Sequence, residues 1–110
     1  MSTEAVVVLT TAPDADVGRA LARSLTEERL VACVNRVPGI TSVYRWEGRV
    51  CEESEELLVM KTTRDRLAAL EERVRSLHPY RTPEFLVLSV ESGSSGYLAW
   101  LAAETRPGTS

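Results

Sequence analysis

Two β-rich stretches in the middle of this chain are separated only by Glu47-Gly48, and their length constrains the fold more than any other feature. The first covers residues 31–37, breaks at Pro38-Gly39 and resumes over 40–46; the second covers 49–62. Proline has no N–H to give a ladder, so the break reads as a kink or bulge in one long strand that pairs differently on either side of it. The centre of the second stretch, Leu57-Leu58-Val59-Met60, is apolar on both faces of a period-two strand. A hairpin of this length exceeds what a four-stranded sheet needs in a chain of 110 residues. Something outside a single copy of the chain is expected to pack against 57–60.

The flanking segments supply the other elements. Val6-Val7-Val8-Leu9 is a buried central strand that stops at Thr10-Thr11-Ala12-Pro13-Asp14, a set of turn and helix-start residues. After Asp14, the residues Val17, Leu21, Ser24, Leu25 and Glu28 share one side of a helix of about four turns. Ala20 fills its close-approach positions, and Arg19, Arg23 and Glu27 lie outside. Leu67, Leu70, Val74 and Leu77 mark a second amphipathic helix, ended by His78-Pro79. Residues 85–90 form a last apolar strand, 92–96 break it, and Tyr97, Trp100, Leu101 and Glu104 mark a short third helix. The order β-α-β-β-α-β plus one helix is that of the ferredoxin-like split βαβ unit. The reading is an α+β fold, one domain over 1–110, with both long helices on one face of an antiparallel sheet.

Composition limits the partners. At 44% hydrophobic and 26% charged residues the chain is globular, with enough apolar surface for one core without staples or a structural metal. A formal charge of -3 offers no basic field to nucleic acid or an anionic membrane, so neither is expected as a partner. Residues 1–4 carry no basic group, and the apolar run at 5–9 is too short for a signal peptide, so a cytoplasmic location is expected. Cys33 and Cys51 do not form a Cys-x-x-Cys pair and read as free thiols.

The short motifs with a known mechanism are absent: no Gly-x-Gly-x-x-Gly, no P-loop, no His-Glu-x-x-His and no Gly-x-Ser-x-Gly. A single histidine excludes a triad or a His-rich metal site within one subunit, and the chain is not read as an enzyme. A hydrolase or transferase using Glu84 as base and Lys61 as electrostatic stabiliser is a weaker alternative, because no nucleophile with an activating partner stands out. His78 closes a helix, where it can bond a terminal carbonyl; the functional alternative is a metal or ligand contact. Prolines 79 and 83 stiffen the polar segment His78-Pro79-Tyr80-Arg81-Thr82-Pro83-Glu84 around it. Lys61 is the only lysine among thirteen basic residues, on the strand face of Leu57 and Val59, and is either a binding ammonium or a side chain reaching for water. Trp46 and Trp100 are packing residues or cleft residues, and Cys33 is a small buried hydrophobe or a soft metal ligand. The run Glu52-Glu53-Ser54-Glu55-Glu56 reads as a solvated face.

Leu30-Val31-Ala32-Cys33-Val34-Asn35, the segment from Pro38-Gly39-Ile40 to Trp46-Glu47-Gly48, Lys61-Thr62 and His78-Pro79-Tyr80-Arg81-Thr82-Pro83-Glu84 resemble the signature segments of the divalent-cation tolerance family CutA. The resemblance extends over residues 6–105. It implies a ferredoxin-like subunit in a tight cytoplasmic homotrimer whose long hairpins pair across subunits, with copper or another divalent cation bound. It further implies a cleft between subunits lined by Cys33, Trp46, Lys61, Tyr80, Glu84 and Trp100. Of the copper ligands described in the family only His78 has a counterpart, since Thr10 and Leu77 occupy the other two positions. The alternative reading is a trimeric small-molecule sensor similar in plan to PII proteins, taking an anionic ligand in those clefts.

Overall fold

In the computed structural model, which describes residues 4–107, the element order is β1 (Ala5–Ala12), α1 (Ala15–Glu27), β2 (Cys33–Trp46), β3 (Arg49–Thr63), α2 (Leu67–Leu77), β4 (Leu86–Ser89) and α3 (Ser95–Glu104). A single 3-10 turn, Arg64–Arg66, leads from β3 into α2. The strands form one four-stranded sheet of order β2-β3-β1-β4 in which every neighbouring pair is antiparallel. This is the α+β arrangement read from the sequence.

The hairpin turns on Glu47 and Gly48, whose φ angles of 50° and 78° are both left-handed. Two positive φ values in a two-residue loop match the right-handed twist of the flanking strands. Its irregularity falls at Pro38-Gly39. Val37 pairs with Leu57 and Ile40 with Glu55, so two residues of β2 stand against Glu56 alone. Gly39 absorbs the bulge with φ 68°, a conformation costly for residues with a Cβ.

One layer of helix covers one sheet face. Asp14 caps α1 by accepting from the Val17 N–H at 2.9 Å, and the chain leaves the helix through Arg29 at φ 60°. Leu21 and Leu25 of α1, Leu70 and Val74 of α2, and the inward residues Val6, Val8, Leu58 and Met60 form a contiguous core with Leu30 and Val31. The alternation is strict in β1, where Val6, Val8, Thr10 and Ala12 are buried and the residues between them half-buried. The opposite face carries Val7, Leu9, Leu57, Val59, Lys61, Cys33, Asn35 and Val37 by register, continued by Leu86 and Leu88 of β4. Only one end of that face is covered, where Thr63 meets Thr105 at the end of α3 at 3.3 Å. Leu86 and Leu88 remain 56% and 51% exposed. The sequence reading that 57–60 is apolar on both faces therefore holds, with Leu58 and Met60 in the core and Leu57 and Val59 on the open side.

Several boundaries differ from the sequence reading. β1 continues through Thr11 and Ala12 because both find ladder partners, Leu57 and Glu56. Residues 31 and 32 lie outside β2 because the Leu30 and Val31 N–H groups close the end of α1 on the Leu25 carbonyl. β4 shortens to four residues. The close-approach residue of α1 is Gly18, not Ala20, which is exposed. Residues 49–55 of β3 extend past the last β1 pair, Ala12 with Glu56, by roughly 23 Å. This two-stranded ribbon contributes to a longest dimension of 44 Å. Val50 on it is 68% exposed.

Glu56 itself is 2% exposed, so the acidic run is not a uniform solvated face. Its carboxylate takes Arg36 Nε at 2.7 Å and Nη2 at 3.2 Å, and Nη2 also donates to the Ala15 carbonyl at 3.0 Å. A Cβ on Gly18 would overlap that carboxylate. Glycine to alanine in a helix ordinarily stabilises by about 1 kcal/mol. Here Gly18→Ala is expected to destabilise by about 1–3 kcal/mol in urea unfolding. The cost should largely disappear in the Glu56→Ala background, the non-additivity expected of groups in direct contact.

Candidate functional site

The residues singled out by the sequence fall into four groups in one chain. Cys33 and Lys61 are cross-strand partners on the open sheet face. Lys61 Nζ donates to Asn35 Oδ1, and Cys33 Sγ lies 3.9 Å from the same oxygen. Among the described residues the lone lysine thus has a neutral acceptor and no carboxylate partner. Glu55 lies six residues along the same strand, roughly 20 Å away. There the second group forms.

Tyr80 donates its phenol hydroxyl to Glu55 Oε2 at 2.8 Å, tying the segment after α2 to the base of the ribbon. One pair further out, Tyr44 donates to Glu53. The effects on ionisation follow. The Glu53 carboxylate pushes the Tyr44 phenol up to about 12. Burial, followed by the bond to Glu55, holds Tyr80 well above the usual phenol range. Burial, followed by repulsion from Glu55, raises Glu84 above the usual carboxylate range. No local pattern marks Glu55 as the centre of this group, because only the β3 register and the Tyr80 bond bring it there.

His78 is 7% exposed and caps the C-terminus of α2, its backbone N–H donating to the Val74 carbonyl at 2.9 Å, while its ring makes contacts outside the helix. Nδ1 accepts the Tyr80 N–H at 3.1 Å. With that lone pair engaged, the ring proton sits on Nε2, which donates to the Thr11 carbonyl of β1 at 2.7 Å. The imidazole ring also packs on the Tyr80 ring, with centroids 4.7 Å apart. Both nitrogens are thus occupied by the chain itself. Among the described residues no three His, Cys, Asp or Glu side chains converge in a way that would hold a metal ion. Thr10 points into the helix-covered layer, where its hydroxyl is buried with no partner among the described residues.

The tryptophans do not pack in the core of this chain. Trp46 sits at the ribbon tip, 56% exposed, because the ribbon outruns the sheet that would cover it. Trp100 lies on α3 against Tyr97 at 5.4 Å, and both are largely exposed. Cys33, Trp46, Lys61, Tyr80, Glu84 and Trp100 therefore do not assemble into one cleft within a single chain.

The sequence and fold have close counterparts. The profile of the CutA1 divalent ion tolerance protein family matches residues 6–104. The chain belongs to this family. The divalent-cation tolerance protein CutA of Thermus thermophilus is 52% identical over 99 residues, covering 90% of this chain and 96% of that one. The crystal structure of CutA1 from Oryza sativa superposes with a TM-score of 0.92 at 46% identity, covering 96% of both chains. A chloroplastic CutA protein of Arabidopsis thaliana is 48% identical over 92% of this chain, which spans 56% of that relative. Relatives in this family include proteins named as chloroplastic and, from Archaeoglobus fulgidus, as periplasmic. No helix among the described residues of this chain is long and apolar enough to cross a membrane.

The raised ionisation of Glu84 has a consequence for stability. The folded chain holds that proton more tightly than the unfolded one. The stabilisation it provides is full below the unfolded value and is lost as pH rises through the folded one. Glu84→Gln is expected to be more stable than the wild type at pH 7 in thermal unfolding. The advantage should shrink as pH falls towards about 4.

Proposed function

We propose that this chain serves divalent-cation tolerance as a cytoplasmic homotrimer, with copper or a similar divalent cation as the ion it binds. The names of its relatives support the cation. The observation that carries the assembly is the open sheet face: Val7, Leu9, Leu57, Val59, Leu86 and Leu88 form an apolar surface that, among the described residues, α3 covers at one end only. Exposed patches of this kind are characteristic of interfaces. The ribbon beyond Glu56 is equally short of neighbours, and a second copy laid against it would shelter Val43, Val50 and Trp46.

In this proposal the clefts between copies bring Cys33, Trp46, Lys61, Tyr80, Glu84 and Trp100 together, which one chain does not do. His78 contributes to the ion site by releasing the Tyr80 N–H from Nδ1. Losing that bond offsets part of the metal affinity, so binding is moderate.

Light scattering and titration calorimetry on the same samples test both parts. Wild type is expected at three times the chain mass, and Val59→Asp, which sets a charge in the middle of the apolar face, below it. A wild type at the mass of one chain would overturn the assembly. Cu(II) or Zn(II) is expected to bind with micromolar or weaker affinity, reduced about tenfold or more in His78→Ala. Affinity unchanged in that variant would move the ion to Cys33 or to the 52–56 run, and no binding of either metal would remove the ion from the proposal.

A further inference from the structure

We propose that the groove between α1 and the outer edge of β2 binds a small molecule bearing two or more phosphate or carboxylate groups. This face is the reverse of the one discussed above and does not depend on the cation or the assembly.

The groove encloses about 480 Å³, within the usual range for small-molecule sites. It exists because β2 is the outermost strand and α1 overhangs it. From α1, Arg19, Ala22, Arg23, Thr26 and Glu27 line it, mostly at the three- and four-residue spacings that place side chains on one helical stripe, and Glu27 is its one acidic residue. From β2, Val34 and Arg36 complete it. Ala22 and Val34 form an apolar floor, and the rim carries three of the chain's twelve arginines. Such a concentration is notable in a chain whose net charge is -3.

The three guanidinium groups differ in how they are held, and the difference suits a site. Arg36 is fixed by Glu56 and the Ala15 carbonyl through Nε and Nη2, which leaves Nη1 without a bond among the described residues. Its orientation is thus set before any ligand arrives. Arg19, exposed on α1, makes no hydrogen bond or ion pair among the described residues. Arg23 meets only Glu27, at 3.7 Å between side chains 75% and 69% exposed. A surface pair of this kind contributes little and exchanges readily for a better acceptor. One preoriented donor that offers Nη1 alone, and two adjustable guanidinium groups able to bind an oxyanion in bidentate fashion, fit a ligand with separated anionic groups around an apolar body.

Calorimetry at low salt with pyrophosphate and with citrate as probes tests this and separates a phosphate ligand from a carboxylate one. One of the two is expected to bind at one site per chain. Arg19→Gln/Arg23→Gln should weaken it about tenfold or more, the loss of two charge-assisted contacts. Arg36 is left intact because it supports the fold. The control Arg75→Gln/Arg106→Gln removes the same charge from exposed positions elsewhere and should change affinity less than about twofold. Arg19→Glu alone, at an exposed position with no bond to lose, should also weaken binding. The absence of saturable binding for both probes would overturn the proposal, as would equal weakening in the groove and control variants.

Discussion

The Arg36–Glu56 pair is the interaction on which the rest of the structure depends. Glu56 is the last residue of β3 that β1 covers and the residue opposite the Pro38-Gly39 bulge, so its carboxylate lies where a four-stranded sheet becomes a bare two-stranded ribbon. Burying a carboxylate at that point is costly unless it is paired and hydrogen-bonded. Arg36 meets it in bidentate fashion from the strand that bulges and ties the first turn of α1 to the same point through Ala15. Helix start, bulge and sheet end are thereby held in register by one guanidinium, and Gly18 leaves the space it requires.

Past that point the chain has strands but no layers. Leu86, Leu88 and Val50 stay exposed on the open sheet face and the ribbon, because α1 and α2 pack on the other face and α3 reaches only one end of this one. The acid-rich group around Glu55 has the same origin. Tyr80 reaches back from the segment after α2 to hold the ribbon's base, and Glu84 is drawn into partial burial beside a like charge. The homotrimer we propose is the arrangement in which these surfaces find partners and the scattered residues Cys33, Lys61, Trp46 and Trp100 gain a common environment.

Much of this was legible in the residues. A period-two strand apolar on both faces, a proline-glycine break inside a β-rich run and two helical stripes specify the strand order and the bulge with little ambiguity. What escaped the sequence depends on register. Glu56 belongs to a run of four glutamates with one serine, and nothing in that run distinguishes the buried carboxylate from the exposed ones until its opposite residues are known. The helical pattern points to Ala20 as the close-approach residue, and Gly18 carries no local mark because the space it leaves is filled by a side chain 38 residues away. His78 closes its own helix as its position indicates, but its ring bonds the Thr11 carbonyl 67 residues earlier, a contact that no local pattern encodes. The exposure of Trp46 and Trp100 was hidden for the same reason: aromatic content predicts packing but not which copy of the chain supplies it.

The central claim is that copies of the chain cover the open face and the ribbon. It is tested most directly by amide hydrogen exchange followed by mass spectrometry over residues 40–55, compared with residues 57–62, across a dilution series. At high protein concentration the ribbon amides should be protected nearly as well as those of the sheet, and they should lose protection first on dilution. Ribbon amides that exchange at the rate of an open two-stranded hairpin at every concentration would contradict the claim.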